Sequence, residues 1–356
     1  VCAFFACDKN SDGPMAPVEA FDREALLTDW ADEMIVPSLE AYLTSMGNHH
    51  DAQVLFFNSP DATSLGHLRS TWLEAYKSWQ RVAMYDIGRA EEMGLRNATN
   101  IYPTDTDLIK QNVSTQNYKL ALPSNNDAQG FPALDFLYFG LADTDEDLIG
   151  ILSSPEYQSY SMDLVDRMQL LTTGVLNDWN TSFRDDFIAN SGASATASVD
   201  KMVNDFLFYY EKFLRAGKIG IPAGVFSGSP LGSTVEAPFS GVHSKELFLA
   251  SFQAVQDFFE GVGFDGVRRE VSLLSYIAST SGQDDTRDLG QEITAQWSKA
   301  EEAVSLLSDN FKAQVETDNT LMLNAYDELQ KAIILLKVDM MQTLNIQVDY
   351  VDADGD

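Results

Sequence analysis

The chain has 356 residues, 45% of them apolar, with 54 acidic against 23 basic side chains and a net charge of −31. That apolar share supports a sizeable core and excludes a globally disordered chain. So negative a field repels phosphate backbones, which excludes nucleic acid as a partner, and it enriches cations near the surface.

Residues 1–17 read as a signal remnant and tether. The chain starts with Val rather than Met, so an upstream segment is expected. "VCAFFAC" closes on Ala6-Cys7 like a bacterial lipobox, with Cys7 the lipidated residue and a polar spacer behind it. Cys2 and Cys7 are the only cysteines, so the body has no disulfide framework. No run of about 20 apolar residues reads as a membrane span. The spacer also fits a calcium-loop pattern, with Asp8, Asn10, Asp12 and Glu19 as oxygen donors and Gly13 at the sharp turn. Pro14 and Pro17 stiffen it and no entering helix precedes it, so a hydrated tether is the competing reading.

Helical periodicity dominates the chain from residue 18 onward. Segment 18–45 carries Phe21, Leu26, Leu27, Trp30, Met34 and Ile35 as one stripe, with a kink expected at Pro37. Segment 63–87 repeats the pattern through Leu65, Leu68, Trp72, Trp79 and Val82. A short, nearly all-apolar helix is expected from Phe131, and a long one over 156–188. The small, polar run 190–198 reads as a boundary. Helices are expected beyond it over 199–216, 245–260, 267–280, 285–308 and 318–343. Two long loops, 95–129 and 217–241, interrupt the series, and long ordered loops in helical bundles are often functional. "IQVDYV" alternates as a strand would but is isolated. The expected architecture is all-α: one helical bundle over 18–192, a second over 193–346, and an acidic tail over 347–356.

Chemical signatures are sparse. The sequence contains no HExxH, GxSxG, P-loop or GxGxxG, and no Ser or Cys stands in a recognisable triad. His49-His50 and the His243/Glu246 pair are weak metal patterns in so acidic a chain. An enzymatic reading must rest on carboxylates.

Gly130-Phe131-Pro132-Ala133-Leu134-Asp135 resembles the GxHxxE signature of imelysin-like proteins, a family once filed as M75 peptidases. "SWQRVAMYDIGRAE" is similar to that family's Trp-rich helix ending in an acid, an apolar residue and Gly, and "NIYPTD" to its Pro-x-Asp loop. "GKIGIPAGVFSGSPLGSTVEA" and "KVDMMQTLNIQVDYVDADGD" resemble segments of its Bacteroidetes-type envelope lipoproteins. The resemblance implies a two-domain helical fold, a cleft between the bundles, an envelope location and a link to iron uptake.

Here the signature's His is Pro132 and its Glu is Asp135. Proline cannot ligate a metal, so hydrolysis at a His-held metal is disfavoured. Pro132 and Asp135 also suit a plain helix start, where proline pre-sets φ and the dipole favours a carboxylate. The functional reading keeps Asp135 at a cleft mouth with Asp86 and Asp105 converging on it, a set suited to iron or another divalent cation. Gly130, Pro132, Tyr102 and Ser244 complete the expected cleft, although Tyr102 also reads as a packing residue and Ser244 as an N-cap. The expectation is a non-enzymatic, lipid-anchored envelope protein that binds a small-molecule or metal ligand for iron or metal-compound uptake. Two alternatives stay open: an M75-type metallopeptidase, and a protein-binding component of an outer-membrane uptake complex.

Overall fold

The computed structural model describes residues 21–280 and 287–350. Cys7 and the calcium-pattern residues Asp8, Asn10, Asp12 and Glu19 lie outside them. Among the described residues every regular element is helical, and the one β pairing is an isolated bridge between Val262 and Arg268. The class is all-α, as the periodicity requires. The described part of "IQVDYV" forms no strand. The Asn204 side chain donates to the Gln347 carbonyl at 3.0 Å and accepts the Asp349 N–H at 3.1 Å, so one amide replaces a neighbouring strand.

Helix α1 (Arg23–Asp29) begins at Asp22, whose carboxylate accepts the Ala25 N–H. It continues through a π-helical turn (Trp30–Ile35) into α2 (Val36–Asn58). The turn sits just before Pro37, which has no N–H to offer the Glu33 carbonyl. That carbonyl instead accepts the Phe264 N–H at 2.6 Å, from the far half of the chain. The expected end at residue 45 is too early: Met46, His49, Gln53 and Phe56 prolong the buried stripe, so the helix runs to Asn58. His49 and His50 therefore stand on a helix and not on a loop.

Helix α3 (Ala62–Gln80) opens on a reciprocal cap between Asp61 and Ser64. It stops at Gln80 rather than residue 87, and the chain unwinds into Asp86-Ile87-Gly88, where Gly88 takes a φ of 58°. The expected 95–129 loop contains structure of its own. A short helix (Leu95–Thr99), α4 (Thr106–Thr115) and a 3₁₀ segment (Pro123–Ala128) lead into α5 (Gly130–Asp135). Helix α6 (Pro155–Asp178) then carries on through Trp179–Phe183 and Arg184–Ala189. Helix α2 packs on both α3 and α6 to form the first half.

In the second half α7 (Ser198–Phe208) is prolonged by a π-helical stretch (Tyr209–Gly220), followed by α8 (Ser244–Glu260), α9 (Leu289–Ser305) and α10 (Asn319–Ile333). Helix α10 packs against α9 and against the Tyr209–Gly220 stretch. The helix expected over 267–280 is only Leu273–Thr280, because left-handed Gly261 and Gly266 turn the preceding segment back on itself. Helix α8 lies against α3 and joins the halves. Their buried apolar side chains form one continuous cluster that includes Trp30, Trp72, Trp79, Trp179 and Trp297. Each large apolar side chain in it contributes roughly 1.5–3 kcal/mol.

Candidate functional site

The motif segment is sealed. Residues 130–138 are all buried, and Gly130 has a φ of 74° with the Thr99 carbonyl oxygen 2.1 Å from where a Cβ would sit. Only glycine fits there. Pro132 occupies the first turn, as proline's locked φ favours. Asp135 is wholly buried and does not serve its own helix. Its Oδ2 accepts the Phe239 N–H at 2.9 Å and its Oδ1 the Ser240 N–H at 3.0 Å, both from the 217–241 loop of the other half. Burial pushes the Asp135 carboxyl up to about 7, against the two N–H groups that favour its charged form, and the nearby Glu236 charge raises it further.

Beside it lies a buried polar network that sequence reasoning missed. Lys218 donates to Glu236 and, at 3.0 Å, to the Gln80 Oε1. Glu236 Oε1 accepts from Gln80 at 3.1 Å and from Asn100 at 2.8 Å, while Ser251 donates to Gln80 at 2.6 Å. Tyr76 donates to Asn100 at 2.6 Å and stacks on Phe131 with ring centroids 4.4 Å apart. Glu236 is 2% exposed and Lys218 3%, so this ion pair is out of water with its hydrogen bonds made. Burial lowers the Lys218 pKa, and Glu236 opposes that. The only sequence signal was two lone charges in otherwise small and apolar runs, "GKIGIPAG" and "STVEAPF".

The expected three-carboxylate site does not assemble. Asp105 is exposed and caps α4, accepting the Asp107 and Leu108 N–H groups at 3.0 and 2.9 Å. Asp86 faces Arg96 at 3.5 Å, and both Asp135 oxygens are already engaged. Among the described residues no three His, Cys, Asp or Glu side chains are grouped so as to hold a metal ion. Ser244 is no N-cap either: it is buried and donates to the Glu236 carbonyl at 2.9 Å, which positions that residue. The Tyr102 hydroxyl packs toward Gly217, and burial near Glu236 raises its pKa well above the ordinary value. His49 is a core residue, 3.1 Å from Thr71 and 3.2 Å from Tyr138, with its pKa held down to about 3 by burial.

Of the expected cleft residues, Asp86 alone lines open space. A groove of about 670 Å³ runs along the seam between the halves. The first half supplies Asp86, Ile87 and Gly88, the exposed Glu91, Glu92 and Asp186, and the rings of Phe183 and Phe187. The second supplies Asp205, Asp349, Lys201, Phe208 and Tyr350. The Phe183 ring lies on Gly88, 2.4 Å from where a Cβ would be, so glycine is what lets this wall close. At the floor Asp205 accepts the Asp86 N–H at 2.7 Å and the Arg96 Nη2 at 3.1 Å. Burial, with the Asp86 charge, pushes the Asp205 carboxyl up to about 6 despite Arg96.

Fold and site together define a two-part helical protein whose halves are clasped by buried charged groups and share an acidic groove. Residues 35–336 match the imelysin family model, peptidase M75, and the chain belongs to that family. The fold is similar to the crystal structure of a protein from Parabacteroides distasonis assigned as an iron-regulated protein A precursor, with TM-score 0.74, 17% identity, and 92% of this chain and 97% of that one covered. An imelysin-like protein from Psychrobacter arcticum is also similar, with TM-score 0.71, 16% identity, and 93% and 99% covered. No curated protein sequence matches the chain.

Proposed function

We propose that this protein is a non-enzymatic binding protein of the cell envelope, held there by a lipid on Cys7, that captures its ligand in the groove between the halves during iron or metal-compound uptake. The observation that carries the reading is the division between a sealed motif and an open seam. A hydrolytic site needs a nucleophile or metal-held water with access to substrate. At Asp135 both oxygens accept backbone N–H groups, no imidazole stands beside them, and the segment is buried. The groove, by contrast, lies within the roughly 300–1,000 Å³ range of ligand pockets. The link to iron is supported by the family and by the description of the Parabacteroides distasonis protein as iron-regulated. With no three-ligand metal group among the described residues, the cargo is taken as a metal compound or a hydrated cation.

Calorimetric titration with Fe²⁺, Ca²⁺ and haem, on the wild type and an Asp86→Asn/Asp186→Asn variant, tests the reading. Binding is expected in the wild type and is weakened in the variant. Peptidase activity sensitive to chelators and lost in Asp135→Ala would establish the metallopeptidase instead. Flat titrations with capture of an outer-membrane protein would favour the scaffold alternative. The anchor predicts palmitate labelling that disappears in Cys7→Ser.

A further inference from the structure

The groove's lining specifies a class of ligand more narrowly than the uptake reading does. Six carboxylates reach it (Asp86, Glu91, Glu92, Asp186, Asp205 and Asp349), against Lys201 as the one base among its described lining residues. Arg96 stands behind Asp86 and Asp205 and is engaged by both. Asp86 leaves its Oδ1 buried and without a hydrogen-bond partner, an acceptor that a ligand N–H would satisfy. Opposed rings flank these acids. Phe183 and Phe187 belong to a cluster with Trp179, while Phe208 and Tyr350 pair across the seam at 5.0 Å. Carboxylates that attract a positive charge, combined with ring faces and edges that hold an apolar body, form the pattern that recognises organic cations.

We propose that the groove binds compounds carrying a protonated amine or guanidinium on an apolar, ring-sized body, with Asp86 Oδ1 accepting the ligand N–H and the phenylalanine walls covering its apolar part. This rests on the reading of the groove as the ligand site. It goes beyond that reading in excluding anionic chelates and in requiring the positive group to be organic rather than a bare metal ion. The whole-molecule charge of −31 works in the same direction, drawing cations toward the seam and speeding their capture at low salt.

The test uses benzylammonium as probe and benzyl alcohol as its neutral isostere, by calorimetry or fluorescence on the full chain. Benzylammonium is expected to bind about tenfold or more tightly than benzyl alcohol, the ratio one charge-assisted hydrogen bond supplies. Asp86→Asn is expected to lose about tenfold in benzylammonium affinity and to leave benzyl alcohol unchanged. Should Asp86→Asn unfold, the exposed pair Glu91→Gln/Asp186→Asn reads the same charge dependence through the salt sensitivity of binding. Equal affinity for the two probes, or benzylammonium binding indifferent to both variants, overturns the assignment. Haem or Fe²⁺ binding that is weakened by the groove variants while benzylammonium fails to bind overturns the cation class alone and leaves the uptake reading standing. Silence with every probe overturns both.

Discussion

Asp135 shows how a carboxylate that looks like a ligand becomes a clasp. Its carboxyl titrates at about 7 in the folded protein, against roughly 4 in an unfolded chain. Between those values the native state holds a proton that the unfolded state has released. Its contribution to stability is therefore full below about pH 4 and is lost as pH rises through 7. Asp205, raised to about 6, acts in the same sense over the lower part of that window. Asp135→Asn keeps one acceptor but turns an amide NH₂ toward the second backbone N–H. It is expected to cost about 1–3 kcal/mol at pH 5 and less at pH 8, read as denaturant midpoints across that range. Gly130→Ala is the sharper change, since a Cβ would lie 2.1 Å from the Thr99 carbonyl oxygen at a φ of 74°. Overpacking together with the left-handed strain should remove about 3 kcal/mol, measured by urea unfolding.

Among the elements, the Tyr209–Gly220 stretch and α3 meet through Lys218, Glu236 and Gln80. Removing one charge of a buried pair strands the other, so Lys218→Met alone should destabilise by about 3–5 kcal/mol. The double variant Lys218→Met/Glu236→Gln should cost less than the sum of its two single changes, a coupling that a double-mutant cycle detects. The α1–α2 rod makes a different kind of contact. Because Pro37 cannot satisfy the Glu33 carbonyl, that group is free to hold the Phe264 N–H at 2.6 Å, and Arg269 adds an ion pair with the Glu33 side chain. In Pro37→Ala a restored N–H competes for the same carbonyl. The Phe264 amide should then exchange its hydrogen faster than in the wild type, while core amides of α2 keep their protection.

For the whole molecule, a charge of −31 on 356 residues makes self-repulsion a standing cost of the compact state. Raising NaCl from about 10 mM to 150 mM shortens the Debye length from about 30 Å to about 8 Å, so the thermal midpoint should rise with salt. The buried clasps at Asp135 and Glu236 are shielded from this screening by their burial. A fall in the midpoint over that range would mean that exposed ion pairs outweigh repulsion. No helix among the described residues is long and apolar enough to cross a membrane. A broader depression of about 950 Å³ between α9 and α10 is lined by long charged side chains of one half only. The groove at the seam differs in taking its walls from both.

Periodicity alone determined the all-helical class and most helix positions, because a buried stripe every 3.6 residues can be read from residue order. Gly130 and Pro132 were legible for a related reason: each imposes a local backbone conformation that sequence announces. The fates of Asp86, Asp105 and Asp135 were not legible. A carboxylate looks the same in sequence whether it caps a helix, lines a groove or accepts two N–H groups from 100 residues away. Glu236, Lys218 and Asp205 stayed hidden because their meaning depends on partners from distant segments, and burial makes those partnerships decisive. Only tertiary packing decided that the familiar motif would be closed and that the open space would lie at Asp86-Ile87-Gly88, where the chain unwinds between the halves.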